Sequence, residues 1–302
     1  MKKIINNYYN LYPDKIYKKE KNITYFFINN NKFNLVEIDR KKEDIEEQIK
    51  ISNTLYYKNI KVNTFIKNKK NNFITTINNK NYILLKINEY EETEVQLRDI
   101  INFDKSIVQK SGNMRENMIN NWKLRVDLIE KQVIEYNKEF PIIKKSINYF
   151  LGLAENAISY ANNIKNEKNE KIVLSHTRLR KKLNVQTIYN PLLFIMDYNS
   201  RDVSSYLKMN YVNETNILDE LEEAIFNKEF TAFEINILYS RMLYPDYYFD
   251  EIEEIIYHRK NEEKIRKIIR NIKKYEKMLI ELHIMLKKYI NIEPVEWMDD
   301  KK

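Results

Sequence analysis

The amino-acid sequence predicts an α+β protein with a small, strand-rich lobe over residues 1–90 and a larger, mainly helical lobe over residues 91–302. Three observations support this division. Five short strand-like segments and one helix fall within the first 90 residues. Beyond residue 95, apolar residues recur every three or four positions, as they do in amphipathic helices. The acidic stretch NEYEETE (88–94) lies between the two patterns and is predicted to be a linker.

The N-terminal lobe is predicted from short apolar runs separated by asparagine-rich turns. Asn29-Asn30-Asn31 and Asn78-Asn79 are predicted turns, because asparagine tolerates the left-handed backbone conformation that tight turns require. One helix is predicted over residues 41–57. The predicted strands are ITYFFI (23–28), FNLVEI (33–38), VNTFI (62–66), FITTI (73–77) and YILLKI (82–87).

Two long helices are predicted to open the C-terminal lobe. Asn113 and Glu116 have the spacing of a capping box, so a helix should begin there and end before Pro141. A second helix should cover residues 142–164. We expect the helix pair to be buried with the help of four large side chains, Trp122, Phe150, Leu151 and Leu153.

The remainder of this lobe combines two short buried strands with further helices. IVLSH (172–176) and the run ending in LLFIMD at Asp197 are the predicted strands. A last amphipathic helix is predicted over residues 262–289. Its apolar stripe is expected to pack onto the domain, and a partner-binding coiled coil is the alternative. Helices are also predicted near 202–208, 214–227, 230–243 and 247–258.

Composition excludes several classes of protein. The chain has 302 residues, no cysteine and a net charge of +8. The absence of cysteine excludes a disulfide scaffold, a thiolate zinc site and a cysteine nucleophile. Lysine alternates with glutamate along the chain, which is typical of solvated helix faces, so nucleic acid is not favoured as a partner. No apolar run approaches the roughly 20 residues of a membrane span.

Glycine is nearly absent, and this bears on phosphate binding. Gly112 and Gly152 are the two glycines, and neither has another nearby. Glycine-rich phosphate loops depend on glycine because the backbone must approach the phosphate closely. The sequence therefore contains no such loop in standard form.

The residues that could carry chemistry lie at the ends of the two buried strands. His176 follows the first strand, and Asp197 ends the second, with Asp202 five residues later. This layout is that of a phosphotransferase catalytic loop followed by a metal-binding aspartate, since Mg²⁺ prefers carboxylates and phosphates. The alternative is that Asp197 caps the next helix and that its neighbours form structural hydrogen bonds. His258 and His283, on charged helical stretches, are expected at the surface.

Four segments of the C-terminal lobe resemble a known family. Together they are similar to the YutH-type endospore coat-associated proteins of spore-forming Firmicutes, relatives of the CotS coat proteins within the aminoglycoside phosphotransferase/choline kinase-like superfamily. The resemblance implies a bilobal protein-kinase-like fold and association with the spore coat, with no established reaction. The segments are YFLGLAENAISYA (149–161), LSHTRL (174–179), FIMDYNSRDVSSYLK (194–208) and LYSRMLYPDYYFDEIEEI (238–255).

The resemblance also implies where the superfamily's catalytic residues would fall. His176 lies on the histidine of the catalytic loop, and Arg178 replaces the catalytic aspartate. Leu183 replaces a metal-binding asparagine, and Asn184 is one place out of register. Asp197 matches the metal-binding aspartate, so it is the candidate for a vestigial Mg²⁺ ligand.

The N-terminal lobe lacks its expected nucleotide-binding parts. The strand FNLVEI (33–38) contains no lysine, and Lys32 lies at its edge. Glu46 or Glu47 could supply the helix acid, although the lysine partner would be missing. We therefore expect no cofactor, with Mg-ATP only under the alternative below.

Replacement of the catalytic aspartate by arginine changes the chemistry of the loop. Arginine is always protonated and cannot accept a proton from a substrate hydroxyl. Four positive charges now cluster in this loop, which suits anions or acidic partners, or simply a solvated loop. They are Arg178, Arg180, Lys181 and Lys182.

The sequence thus predicts a kinase-like structural or binding protein of the endospore coat, a pseudokinase, with other coat proteins as partners. The alternative is a divergent small-molecule phosphotransferase that uses Mg-ATP and Asp197. Because no apolar segment follows MKKIINNYY, no secretory signal is indicated. We expect synthesis in the mother-cell cytoplasm before association with the coat. A cleft between residues 1–87 and 95–302 is also predicted, with Asp197 facing into it.

Overall fold

The computed structural model divides the chain into two compact units. The first contains Met1–Val95 and Lys182–Ile195, and the second contains Gln96–Lys181 and Met196–Lys302. The structure describes residues 1–20, 22–88, 93–136, 138–165, 167, 170–177, 179, 185–211, 217–292 and 295. The segment 182–195 was assigned to the C-terminal lobe from the sequence, yet it groups with the first unit. Within that unit, Leu192 packs into the core beside helix α2 (Lys42–Tyr57).

The first unit is built on an antiparallel sheet of six strands. The strand order is β1-β2-β3-β6-β4, and β5 also pairs with β6. Its helices are α1 (Lys2–Tyr9), α2, and the short α6 (Val185–Ile188), which is followed by a 3-10 turn at Pro191–Leu193. The strands are β1 (Ile16–Glu20), β2 (Ile23–Ile28), β3 (Asn31–Ile38), β4 (Thr64–Ile66), β5 (Ile74–Ile77) and β6 (Lys80–Ile87).

Both faces of this sheet are covered by apolar side chains. On β6, Ile83 and Leu85 point into the core that α2 covers, whereas Tyr82 and Leu84 point into the core that contains Ile5 of α1. Successive side chains of a strand alternate between the two faces. Burial on both faces explains why β6 reads as a nearly continuous apolar run.

The predicted asparagine turns are confirmed by the backbone. Asn29 and Asn30 have φ of 47° and 62°, and Asn78 and Asn79 have φ of 49° and 60°. Two consecutive left-handed residues suit a two-residue hairpin between antiparallel strands. Helix α1 and strand β1 are not predicted from the sequence, although the apolar residues of α1 recur at a helical spacing.

The second unit is mainly helical, with a small sheet in the order β7-β8-β9. Its core includes side chains from helices α4, α5 and α9, among them Ile119, Ala161 and Ile237. The strands are β7 (Val108–Lys110), β8 (Lys171–His176) and β9 (Phe194–Asp197), the last beginning in the first unit. The helices are α3 (Leu97–Asp104), α4 (Met114–Glu135), α5 (Pro141–Asn163), α7 (Ser200–Asn210), α8 (Ile217–Phe226), α9 (Ala232–Leu243), α10 (Asp246–His258), α11 (Glu263–Arg270) and α12 (Ile272–Leu286).

Three predictions for this unit are wrong in detail. Asn113 precedes α4, but its side chain makes no capping hydrogen bond. The single last helix is two helices, because α11 ends before Asn271 and α12 begins after it. His283 is buried rather than exposed, and its ring lies 5.4 Å from that of Tyr239. An imidazole can occupy an apolar helix face when aromatic rings surround it.

The predicted burial of the α4–α5 helix pair is confirmed in part. Phe150 and Leu153 are buried, and the ring of Phe150 stacks on that of Tyr248 at 3.6 Å between centroids. Trp122 and Leu151 are only partly buried.

Helix α12 turns its apolar stripe inward, with Leu279, Leu282 and Leu286 fully buried, as the packing interpretation predicts.

Candidate functional site

The predicted site residues His176 and Asp202 form a buried pair. His176 ends β8, and Asp202 lies in the first turn of α7. The backbone N–H of His176 donates to Asp202 Oδ1 at 3.1 Å, and the ring Nδ1 lies 2.5 Å from Asp202 Oδ2. Both side chains are almost fully buried. Asp202 therefore holds His176, the last residue of β8, in one orientation, which is a structural role.

A second carboxyl group, Asp104 at the end of α3, completes this buried cluster. Ligand atoms of Asp104, His176 and Asp202 lie within 4.8 Å of one another. Burial, together with the adjacent Asp202 charge, raises the pKa of Asp104 well above its usual value. A protonated Asp104 can donate a hydrogen bond to Asp202, so a proton stabilises the two carboxyl groups side by side. The cluster offers the ligand types of a metal site, but Asp202 Oδ1 already accepts a hydrogen bond from the backbone N–H of His176, and Oδ2 lies 2.5 Å from the ring Nδ1.

Asp197, the predicted metal ligand, is held by two arginines. Arg241 Nη2 lies 2.5 Å from Asp197 Oδ1, and Arg201 Nη1 lies 2.6 Å from Oδ2. The backbone N–H of Tyr198 also donates to Oδ1 at 2.7 Å. Burial raises the pKa of Asp197, but the two guanidinium groups and this N–H outweigh it, so the pKa lies below its usual value. Asp197 is therefore a buried, charged carboxylate, 5% exposed.

Arg201 connects this ion pair to the segment after β8. Its Nε donates to the carbonyl oxygen of His176 at 2.8 Å, and its Nη2 donates to that of Thr177 at 2.7 Å. Three of its donors are thus used within the fold. The sequence alternative, in which Arg201 and Asp202 form structural hydrogen bonds, is confirmed. Asp197 does not cap α7, because Asn199 occupies the N-cap position.

The remaining predicted positions fall in two groups. The proposed cationic cluster, Arg178, Arg180, Lys181 and Lys182, lies outside the described residues, as do Leu183 and Asn184. In the first unit, Glu46 and Glu47 of α2 are both exposed, and Glu46 pairs with Lys42 at 3.5 Å.

Gln48 and Ser52 are the buried polar residues of α2, and Gln48 is the one that contacts the segment after α6. Its Nε2 donates to the carbonyl oxygens of Leu192 and Phe194 at 3.2 and 3.4 Å. The inward face of the helix is therefore used to hold a neighbouring segment of the same unit.

Sequence reasoning missed Arg241 and Asp104. Arg241 lies in LYSRMLYPDYY, a segment quoted for its family resemblance, and its burial follows from packing that the sequence alone does not show. Asp104 is the last residue of α3, a helix that the sequence analysis does not predict. It lies in the segment INFDK, and an aspartate in such a segment usually faces solvent.

The arrangement around Asp197 does not fit a magnesium ion. Mg²⁺ requires carboxylate oxygens with free lone pairs in a region of negative potential. Both oxygens of Asp197 instead accept charge-assisted hydrogen bonds, and the two arginines bring two positive charges to one negative charge. The two guanidinium groups would also repel a cation that approached Asp197.

Comparisons with solved structures show the fold. An aminoglycoside phosphotransferase from Alicyclobacillus acidocaldarius subsp. acidocaldarius DSM 446 is 9% identical, with a TM-score of 0.59 over 93% of this chain and 94% of that one. The amicoumacin kinase hAmiN is 10% identical, with a TM-score of 0.56 over 91% and 92%. Spectinomycin phosphotransferase APH(9)-Ia, in a complex with ADP and spectinomycin, is 10% identical, with a TM-score of 0.55 over 93% and 95%. The chain thus has the kinase-like fold of these enzymes, as its sequence predicts.

Sequence comparisons identify the family. The endospore coat-associated protein YutH of Bacillus subtilis (strain 168) is 26% identical over 150 residues, a match that spans 44% of this chain and 44% of that protein. No helix among the described residues combines the length and the apolar character needed to cross a bilayer. The family described as "Spore coat putative kinase YutH" matches residues 2–287. The chain therefore belongs to the spore coat YutH family.

Proposed function

We propose that this protein is a pseudokinase of the endospore coat, a kinase-like fold that serves as a structural or binding component and transfers no phosphoryl group. The observation that carries the proposal is the pairing of Asp197 with both Arg201 and Arg241. Phosphoryl transfer depends on metal ions that neutralise the developing charge on the phosphates. Two arginines in direct contact with the aspartate remove its capacity to hold such an ion.

Three further features support the proposal. Arg178 stands where active relatives of this superfamily carry the catalytic aspartate, and arginine cannot serve as a base. Strand β3 begins at Asn31, so it includes Lys32 near its start, where the sequence analysis placed this lysine at the strand's edge; it has no lysine between Phe33 and Ile38. Both glutamates that could pair with such a lysine, Glu46 and Glu47, are exposed. The alternative, a divergent Mg-ATP-dependent phosphotransferase, would require a metal ion to displace two guanidinium groups from Asp197.

Membership of the YutH family supports the cellular part of the proposal. We propose that the protein is made in the mother-cell cytoplasm, joins the coat and contacts other coat proteins there. A fluorescent fusion expressed in a sporulating Bacillus host should form a ring around the forespore and should extract with coat proteins. Uniform fluorescence in both compartments would contradict the coat assignment.

A labelling experiment tests the absence of phosphoryl transfer. The purified chain is incubated with radiolabelled ATP, Mg²⁺ and an extract of sporulating cells that lack the gene. Because the metal-binding position is occupied by arginines, we expect no label transfer beyond that in the extract alone. Transfer that depends on the added chain and disappears in Asp197→Ala would overturn the proposal and favour the phosphotransferase alternative.

A further inference from the structure

A cavity of about 360 Å³ is lined mainly by α4, α7 and α10, and all of its lining residues belong to the second unit. Its volume falls within the range of sites that hold small organic ligands. Arg201 and Ser205 of α7, Trp122 of α4 and Asp246 of α10 are among the residues of its wall. No part of the proposed function assigns a ligand to this cavity.

The charges around this cavity are balanced. Seven charged side chains line it, and each forms an ion pair with a side chain of opposite charge. An ion that entered the cavity would lose its hydration, and charges of both signs around it would return little net attraction. The wall therefore favours a neutral ligand over an anion or a cation. The ion pairs are Arg201 and Arg241 with Asp197, Lys208 with Asp246, Arg125 with Asp250, and Lys264 with Glu251.

Arg201 keeps hydrogen-bond donors for a ligand although its charge is compensated. Burial lowers the pKa of Arg201, but Asp197 and, to a smaller extent, Asp202 and Asp246 raise this pKa above its usual value. Three N–H groups of the guanidinium donate to Asp197 and to two backbone carbonyl oxygens, and a guanidinium has five. The side chain is 29% exposed, so the two remaining N–H groups can donate to a ligand in the cavity.

Asp246 supplies an acceptor at the same wall. Its Oδ1 accepts hydrogen bonds from Lys208 Nζ at 2.6 Å and from the backbone N–H of Tyr247 at 2.9 Å. Its Oδ2 accepts none from the part of the chain that the structure describes, and the side chain is 41% exposed. Ser205 donates to the carbonyl oxygen of Arg201 at 3.1 Å, so the lone pairs of its hydroxyl remain available. Because a hydroxyl group both donates and accepts, neighbouring hydroxyls of one ligand can use Arg201 and Asp246 together.

Trp122 gives the wall an apolar part. Its indole stacks on the ring of Tyr244, with 4.4 Å between centroids, and stays only partly buried. Because Trp122 lines the cavity, the uncovered part of the indole can contact the carbon-bound hydrogens of a ligand. A ligand that matches the whole wall is neutral, carries several hydroxyl groups and has an apolar face. Sugar rings combine these three properties.

We propose that this cavity binds a neutral saccharide, with one hydroxyl accepting a hydrogen bond from Arg201, a second donating to Asp246, and the carbon-bound hydrogens of the ring packed against Trp122. This inference rests on the proposed function, which it deepens by naming the ligand class of a binding component, but the two can fail separately. Label transfer from ATP to a bound sugar would overturn the pseudokinase proposal and leave the site intact. A chain that binds no sugar and transfers no label would lose only the site.

The fluorescence of Trp122 provides the test. The chain has two tryptophans, so Trp297→Phe leaves Trp122 as the reporter. The neutral probes are methyl glucoside, methyl galactoside and N-acetylglucosamine, and the charged probes are glucosamine, glucuronate and the zwitterion serine, all at neutral pH and constant ionic strength. We expect a saturable change in emission with at least one neutral probe. Each charged probe should bind at least about tenfold more weakly than that neutral probe, because the balanced wall does not compensate an added charge.

Asp246→Asn should change the affinities for two ligands in opposite directions. The substitution removes the open carboxylate acceptor, so the neutral sugar should bind about tenfold more weakly. It also leaves one positive charge in excess, so glucuronate should bind more tightly than it does to the reporter protein without this substitution. A variant that is merely destabilised cannot gain affinity, so the glucuronate result decides the outcome even if Asp246→Asn folds less well.

Two further variants locate the binding site. Ser205→Phe should fill the cavity and abolish binding of the neutral sugar, because Ser205 is part of the wall. Lys273→Gln, at an exposed position on α12 outside the cavity, is the control and should leave every affinity unchanged.

Several results would overturn the inference. Absence of saturable binding by all three neutral probes would remove the saccharide site. Binding of glucosamine, glucuronate or serine as tightly as the neutral sugar would show that the wall does not select a neutral ligand. An unchanged or weaker affinity for glucuronate in Asp246→Asn would show that Asp246 does not contact the ligand. Undiminished sugar binding in Ser205→Phe would place the sugar elsewhere on the protein.

Discussion

Within the second unit, Asp197 and Asp104 show how the pKa values of two buried aspartates are shifted in opposite directions. Asp197 lies between two guanidinium groups and is stabilised as the carboxylate. Asp104 lies beside another carboxyl group, Asp202, and burial together with that charge stabilises its protonated form. The neighbouring side chains, rather than depth of burial, decide which form is favoured.

The protonation of Asp104 makes the stability of the protein depend on pH. Because its folded pKa is raised, the wild type loses stability as pH rises from about 4, the unfolded value, through the folded pKa. Asp104→Asn cannot ionise, and its amide can donate to Asp202. We expect the variant to gain stability relative to wild type between pH 4.5 and pH 8, measured by urea unfolding at both pH values.

Asp127→Asn is the matched control for this comparison, because Asp127 is exposed on α4. Its effect on the free energy of unfolding should stay within about 0.5 kcal/mol at both pH values. A difference between wild type and Asp104→Asn that is the same at pH 4.5 and pH 8 would contradict a protonated Asp104.

The candidate site could be read from the sequence only in part. His176, Asp197 and Asp202 could be predicted as candidates because they follow apolar runs, and polar residues in that position mark the ends of strands. The partners of these residues could not be read in this way. Arg241 is 44 positions from Asp197, and Asp104 is 98 positions from Asp202, so only the packing of α3, α7 and α9 brings them together.

At the scale of secondary structure, the hairpins and long amphipathic helices were predictable, whereas polar helices and capping were not. Asparagine pairs located the turns before β3 and before β6 because left-handed backbone is a local property. The capping box at Asn113 failed because the side chain must also adopt a suitable rotamer, which the spacing does not determine. The last helix was overextended because an apolar stripe continues across the break at Asn271.

The left-handed turn before β6 gives a direct test of this local reasoning. Asn79 has φ of 60° between β5 and β6. Alanine in this conformation costs about 1–2 kcal/mol, whereas glycine adopts it freely. Asn79→Ala should therefore lower the free energy of unfolding by about 1 kcal/mol, and Asn79→Gly should change it by less than about 0.5 kcal/mol. Equal effects of the two substitutions in chemical denaturation would exclude the left-handed turn.

Neighbouring positions on α5 test the packing of the long helices. Phe150 is fully buried against Tyr248, and Leu151 is only partly buried. Phe150→Ala should cost about 3–5 kcal/mol, since it removes a core ring and leaves a cavity. Leu151→Ala should cost less than about 2 kcal/mol because less of its surface leaves water on folding. Urea denaturation of the two variants measures both values, and a reversed order would contradict the assigned inner face of α5.

At the scale of the whole molecule, the chain has a kinase-like fold, and our proposal is that this fold no longer serves nucleotide chemistry. The fold matches aminoglycoside phosphotransferases over more than nine-tenths of the chain at about 9–10% identity. Fold alone does not determine function, which depends on the chemistry of the site. In this chain, Arg201 and Arg241 both form ion pairs with Asp197, the residue that the sequence analysis names as the candidate metal ligand.

Thermal unfolding with and without Mg-ATP tests the central claim, that the kinase-like fold no longer binds a nucleotide–metal complex. A ligand at one hundred times its Kd adds about 2.7 kcal/mol of stability, which for a chain of this size raises Tm by roughly 4 °C. Because Asp197 is paired with two arginines, we predict no change in Tm at millimolar Mg-ATP, and none with Mg²⁺ alone. A rise of several degrees with Mg-ATP that disappears in Asp197→Ala would contradict the claim.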